Sequence, residues 1–149
     1  MLKTHALLSA MLFGLVGLAA YGQSTPWKAE IKLSQTSVKN NDSFLVSAAI
    51  RNTGGEEHVL GVYTCSYANQ WRADNSVVLV PGDSCMRNVP RKIRLGSGGS
   101  YEKKVLVQVA LPTGKTPNES ITFRLGFLDA LMSNGPRIWS NAVTISVTK

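Results

Sequence analysis

The sequence predicts an all-β domain, a β-sandwich of about seven or eight antiparallel strands. Three observations predict it. Apolar residues alternate with polar ones over several short stretches, the period of a half-buried strand. Gly, Asn and Pro clusters punctuate those stretches at short intervals, as in sandwiches and barrels. No long helical pattern interrupts them, which argues against a parallel α/β sheet. A closed barrel is the alternative arrangement of the same strands.

The first strand is expected where Trp27, Ala29, Ile31 and Leu33 alternate with Lys28, Glu30, Lys32 and Ser34. Asn40-Asn41-Asp42 is a turn. Phe44, Val46, Ala48 and Ile50 form the next inward row, with Ser47 and Arg51 outward. Asn52-Thr53-Gly54-Gly55 ends that strand, on the argument that Asn and Gly tolerate positive φ. His58 to Cys65 is rich in β-branched and aromatic residues and predicts a third strand. Ser66 to Asn88 is the least regular stretch. It is expected to be a long loop holding one short strand at Val77-Val78-Leu79-Val80 and a turn at Pro81-Gly82-Asp83. Ile93 and Leu95 alternate with Lys92 and Arg94, and Gly96-Ser97-Gly98-Gly99 then turns the chain. Val105, Val107, Val109 and Leu111 mark the longest strand. Leu111-Pro112-Thr113-Gly114 is similar to a sortase signal but lacks its extra residue and hydrophobic tail, and is expected to be a turn. Ile121, Phe123, Leu125 and Phe127 alternate strictly, and Val143, Ile145 and Val147 form the closing row. Leu128 to Met132 is the one place where a helical turn is expected.

The N-terminus is organised differently. Lys3 precedes an apolar run from Ala6 to Ala20, followed by the small-x-small sequence Ala20-Tyr21-Gly22. This is the three-part pattern of a secretory signal peptide. A spanning helix needs roughly 20 apolar residues, more than this run supplies. The expected organisation is a signal peptide at 1–22 and one domain at 23–149, exported to the periplasm or the cell exterior, with no membrane span in the mature chain. A domain of that size buries about two-thirds of its unfolded surface and folds without a metal.

Composition limits the chemistry. The full chain carries 16 Lys+Arg against 9 Asp+Glu, a formal net charge of +7, and loss of Lys3 lowers this to +6. Such a surface favours anionic partners such as an anionic glycan, a cell-envelope polymer or lipid head groups, and a surface protein is a further candidate partner. Nucleic acid is a poor candidate for an exported chain. His58 is the single histidine of the mature sequence, and no G-x-S-x-G elbow accompanies it. The nine acids are scattered, mostly at turns such as Asp42, Asp74, Asp83 and Glu119, rather than set in a pair across a cleft as glycoside hydrolysis requires. Cys65 and Cys85, exported together, are expected to form a disulfide. Closing so short a loop contributes roughly 3 kcal/mol. The pairing also removes a thiol nucleophile, and two cysteines with one histidine make a poor zinc site. No cofactor, metal or enzymatic activity is expected.

Two groups are candidates for binding. Arg87, Arg91, Lys92 and Arg94, extended by Lys103 and Lys104 on the following strand, would make a cross-strand basic stripe. The same charges also suit an edge strand protected against aggregation. Tyr67, Trp71 and Arg72 lie in the tethered loop, where aromatics beside arginine are typical of contact sites, or where the Trp packs over the sheet end. Asn41-Asp42-Ser43 and Asn118-Glu119-Ser120 are glycosylation sequons, meaningful in a eukaryotic host.

Two stretches carry a family resemblance. Ala48-Ala49-Ile50-Arg51-Asn52-Thr53-Gly54-Gly55 and Trp139-Ser140-Asn141-Ala142-Val143-Thr144-Ile145 resemble the strand-and-turn segments of bacterial immunoglobulin-like domains of the CARDB and adhesion kind. The resemblance implies an immunoglobulin-like two-sheet sandwich acting as a spacer, adhesion or binding module. The chain departs from antibody-type domains, whose cysteines are far apart in sequence and join the two sheets. A second resemblance is to chagasin-type inhibitors of papain-like cysteine peptidases. Gly96-Ser97-Gly98-Gly99 fits their G-x-G-G loop, Pro136-Arg137-Ile138-Trp139 is similar to their R-P-W loop with the order changed and a residue inserted, and Asn40-Asn41-Asp42-Ser43-Phe44 departs from their N-P-T-T-G-[YF] loop. It implies inhibition through loops gathered at one sandwich end.

Overall fold

The computed structural model describes residues 25–148, apart from positions 66, 83–84, 86–87, 115–118 and 133 and the side chain of Tyr67. The expected signal peptide at 1–22 lies outside the described residues. The elements in chain order are β1 (Trp27–Leu33), β2 (Ser37–Lys39), β3 (Ser43–Asn52), β4 (His58–Tyr63), α1 (Tyr67–Gln70), β5 (Trp71–Ala73), β6 (Val78–Leu79), β7 (Pro90–Leu95), β8 (Ser100–Val109), β9 (Ser120–Phe123), β10 (Leu125–Phe127), β11 (Ile138–Trp139) and β12 (Val143–Thr148).

Alternation decides which side of each strand is covered. In β3 the even-numbered Phe44, Val46, Ala48 and Ile50 are buried, and in β8 the odd-numbered Val105, Val107 and Val109 are fully buried. These rows meet in register, with Phe44 opposite Val107 and Val46 opposite Val105. The first sheet runs β1-β3-β8-β6, all antiparallel. Ile121, Phe123, Leu125, Phe127, Ile145 and Val147 supply the facing layer, while Arg124 and Thr144 are exposed as their parity dictates. Burial of these rows against each other is the main driving force for the fold.

The second sheet is assembled from shorter ladders. β7 pairs with β4, β5 pairs with β10, β10 with β11, and β9 with β12. β4 and β5 act as one interrupted strand beside the β9–β10 strand. The Ala130 N–H donates to Gly61 O at 3.1 Å and the Leu128 N–H to Gln70 O at 2.8 Å, on either side of the break. α1 stands between them, out of the ladder. The buried Gln70 amide stitches the gap, donating to Gly61 O at 2.9 Å and Leu128 O at 3.2 Å and accepting from Tyr63 N at 3.2 Å.

Two expectations change. The α-helical turn forms at Tyr67–Gln70, whereas Leu128–Met132 holds a tight turn in which the Met132 N–H donates to Asp129 O at 2.9 Å and the Leu131 N–H to Asp129 Oδ1 at 2.9 Å. The strands are not all antiparallel, since β2 runs parallel to β12 with Val38 opposite Val147. The N-terminal segment thus crosses layers, β1 lying in the first sheet and β2 on the edge of the second.

The turns follow their residues. Asn41 has φ 68° and Gly98 φ 74°, the left-handed region where Asn and Gly are tolerated. The 52–55 turn contains no positive φ among the described backbone. Asn52 acts through its side chain instead. It is fully buried, its amide donates to Glu56 O at 2.7 Å, Leu95 O at 2.9 Å and Gly96 O at 3.2 Å, and its Oδ1 accepts from Gly54 N at 2.8 Å. One side chain thereby ties the β3–β4 turn to the β7–β8 turn.

Candidate functional site

β7 is an edge strand among the described residues, paired with β4 on one side. Arg91, Lys92 and Arg94 are all exposed, while Ile93 opposite Leu60 is half-buried. Lys92 and Arg94 share the outer face. Arg91 has the inward parity but emerges at the sheet margin. Arg94 Nη1 meets Glu57 Oε1 at 3.1 Å with both side chains solvated, a weak pairing. Arg87 lies outside the described residues. The stripe does not extend to Lys103 and Lys104. The Gly96–Gly99 turn, held by Asn52, carries the chain from the second sheet to the first, so β7 and β8 do not pair. Lys104 stands opposite Ser47, which is opposite Lys32, on the outer face of the first sheet. In the next row there, Glu30 and Glu102 flank Ala49, so acids and bases alternate on that face.

Cys65 and Cys85 are bonded, with Cα atoms 5.9 Å apart. The bond closes the open end of the β4–β7 pair, just beyond Tyr63 opposite Pro90. It tethers the loop as the sequence implies. That loop does not present its tryptophan. Trp71 is 1% exposed and packs edge-on against Phe127, ring centroids 5.0 Å apart. Its inward parity in β5 puts the ring in the core, out of reach of a partner. Arg72, one residue on, faces outward and is exposed.

A different tryptophan reaches the surface beside Arg72. Gly126 is the register partner of Arg72 in β5 and of Trp139 in β11. The Trp139 ring lies directly over Gly126, where an added Cβ would come within 2.8 Å of the ring, yet the residue is 39% exposed. Arg124 stacks its guanidinium 5.4 Å from the Trp139 ring centroid and pairs with Asp74 at 2.8 Å. Partial burial pushes the Asp74 carboxyl up, but hydrogen bonds from the Arg124 backbone N–H and guanidinium outweigh it and hold the pKa below the usual Asp value. Arg137 Nη1 donates to Gly126 O and to Gln70 O, each at 3.0 Å. Burial, and then the nearby Arg72 charge, lower the Arg137 pKa. A guanidinium remains protonated under such shifts.

Parity marks Arg124 as outward, and Arg137 and Trp139 enter the sequence reading within the resemblances, but nothing there brings the three together. The available signal is Gly126 inside the strict alternation Phe123-Arg124-Leu125-Gly126-Phe127, because a strand-interior glycine marks a close approach.

The loops assigned to an inhibitor edge are not gathered. Asn41 N donates to Val109 O at the end of β8, whereas Gly96–Gly99 precede its start. A strand as long as β8 spans about 30 Å, so these two loops occupy opposite sandwich ends. His58 packs edge-on against Trp27 with ring centroids 5.9 Å apart. No group of three His, Cys, Asp or Glu gathers for metal binding among the described residues, and no helix among them is long and apolar enough to cross a membrane.

The described chain is an all-β protein whose sheets pack as a sandwich. No family model matches it, and no curated protein matches it. Solved structures give similar chains at low likeness. The alkylpurine DNA glycosylase AlkC of Pseudomonas fluorescens, bound to DNA containing an abasic site analog, matches with TM-score 0.42 and 11% identity over 83% of this chain and 31% of that one. The β-glucosidase EmGH1 of Erythrobacter marinus matches with TM-score 0.42 and 16% identity over 82% of this chain and 15% of that one. The chain thus spans under a third of either protein, and at this likeness neither activity transfers to it.

Proposed function

We propose that the chain is an exported immunoglobulin-like binding module that acts by contact and not by catalysis, holding an anionic glycan or cell-envelope polymer against the outer face of its second sheet. The observation that carries this is the collection of Arg72, Lys92, Arg94, Arg124 and Arg137 on that one face, against the paired carboxylates Glu57 and Asp74. The first sheet, with its alternating acids and bases, offers no comparable field. A cationic face of this kind concentrates a polyanion and loses its hold as salt rises, because exposed charges are screened over about 8 Å at physiological ionic strength.

The test is retention of the purified domain on an immobilised anionic polysaccharide over a salt gradient. The combined variant R91E/K92E/R94E should elute at much lower salt, with an unchanged circular dichroism spectrum, since these side chains lie outside the buried rows. Unchanged retention of the folded triple variant would remove β7 from the contact surface. Failure of the parent to bind any anionic polymer would remove the reading itself.

A further inference from the structure

Three features converge on Gly126. Arg72 is its partner on one side, Trp139 is its partner on the other and covers it, and the Arg137 guanidinium is fastened to its carbonyl oxygen. Any side chain at this position would lift the indole away from the sheet. The ring is therefore in contact with the Gly126 backbone and lies near the Arg124 guanidinium, and the residue is still 39% exposed. Arg124 is matched by Asp74, but Arg72 and Arg137 have no carboxylate partner among the described residues. Two like charges at one glycine, one of them partly buried, favour an anion between or above them.

We infer that Trp139, Arg72 and Arg137 form a subsite for one hexuronate unit of an anionic glycan, a reading that rests on the function proposed above. The C–H face of a pyranose ring carries partial positive charge and suits the negative face of an indole. A ring carboxylate suits the planar donor fork of arginine, which binds it in a bidentate manner. Arg137 commits Nη1 to two carbonyl oxygens, leaving its other N–H donors available. The combination selects a flat, apolar-faced ring bearing a carboxylate over a flexible polyanion of equal charge. The β7 cations lie farther along the same face and act on any polyanion.

The experiment measures binding of the domain to oligogalacturonate and to poly-L-glutamate of matched charge by calorimetry at fixed salt. The parent should prefer the uronate. Trp139→Ala should lower uronate affinity roughly tenfold, about the worth of one stacked ring, and leave poly-L-glutamate unchanged. Arg72 is exposed and outside the core, so Arg72→Ala folds even if the Trp139 variant does not, and should weaken uronate binding by a similar factor. Equal affinity of the parent for both polymers, or full uronate affinity in Arg72→Ala, overturns the subsite and leaves the general polyanion reading standing. Binding of neither polymer overturns both.

Discussion

Replacing Asn52 with alanine tests whether one buried amide sets the position of β7. The side chain is fully buried and makes four hydrogen bonds, three donated to carbonyl oxygens and one accepted from Gly54 N. Its bond to Leu95 O is buried, so truncation leaves that oxygen without water, at a cost of about 1–3 kcal/mol. The bonds to Glu56 O and Gly54 N are partly buried and can be replaced by water, with a net loss of about 0.5–1.5 kcal/mol each. The backbone bonds from Asn52 N to Gly99 O and from Gly98 N to Asn52 O survive. The expected destabilisation is about 3 kcal/mol. With a urea m-value of about 2 kcal/mol/M, the midpoint should fall by about 1.5 M. Asn52→Asp should do at least as much harm, because a carboxylate accepts from Gly54 but cannot donate to three carbonyls. Equilibrium urea denaturation followed by tryptophan fluorescence reads both variants. A midpoint loss below about 0.25 M for Asn52→Ala would refute the claim that this amide is the link.

Two further perturbations probe the second sheet. Gly61→Ala places a Cβ 2.5 Å from both Asp129 Oδ1 and the backbone nitrogen of Leu131. Because backbone must move, the variant should lose about 2 kcal/mol or more, and an unchanged thermal midpoint would show that the 129–131 turn yields freely. Reducing the Cys65–Cys85 bond, which spans a sequence separation of 20, should cost about 3 kcal/mol of stability in urea. Identical unfolding curves with and without reductant would show that the loop it tethers is already ordered by Gln70.

The rows that make the core are legible because each strand's alternation is local. Phe44 to Ile50 or Ile121 to Phe127 alone are enough to show which side is covered. What local pattern misses is pairing. The β4–β5 interruption depends on Gln70 reaching both Gly61 and Leu128, positions separated widely along the chain. The basic stripe breaks for the same reason. Lys103 and Lys104 follow β7 closely in sequence, yet the turn between them changes sheets. Asn52 looks like a turn former and serves as a buried connector, a distinction invisible without its partners. Trp71 and Trp139 illustrate the point in reverse. Composition cannot say which of two tryptophans is inside, whereas register places Trp71 against Phe127 and Trp139 over Gly126.

The parallel contact between β2 and β12 has a kinetic side. Ser37 meets Ser146 and Val38 meets Val147, and the Asn141 amide bonds both the N–H and the C=O of Ile31 across 110 residues. Topologies dominated by such distant pairings fold slowly, since a large loop must close before the contact rewards it. The second sheet acquires its outermost strand only when the last one is in place. A chain lengthening from its N-terminus can therefore pair β1 with β3 early but carries β2 without its ladder until β12 has been made, so the domain closes late.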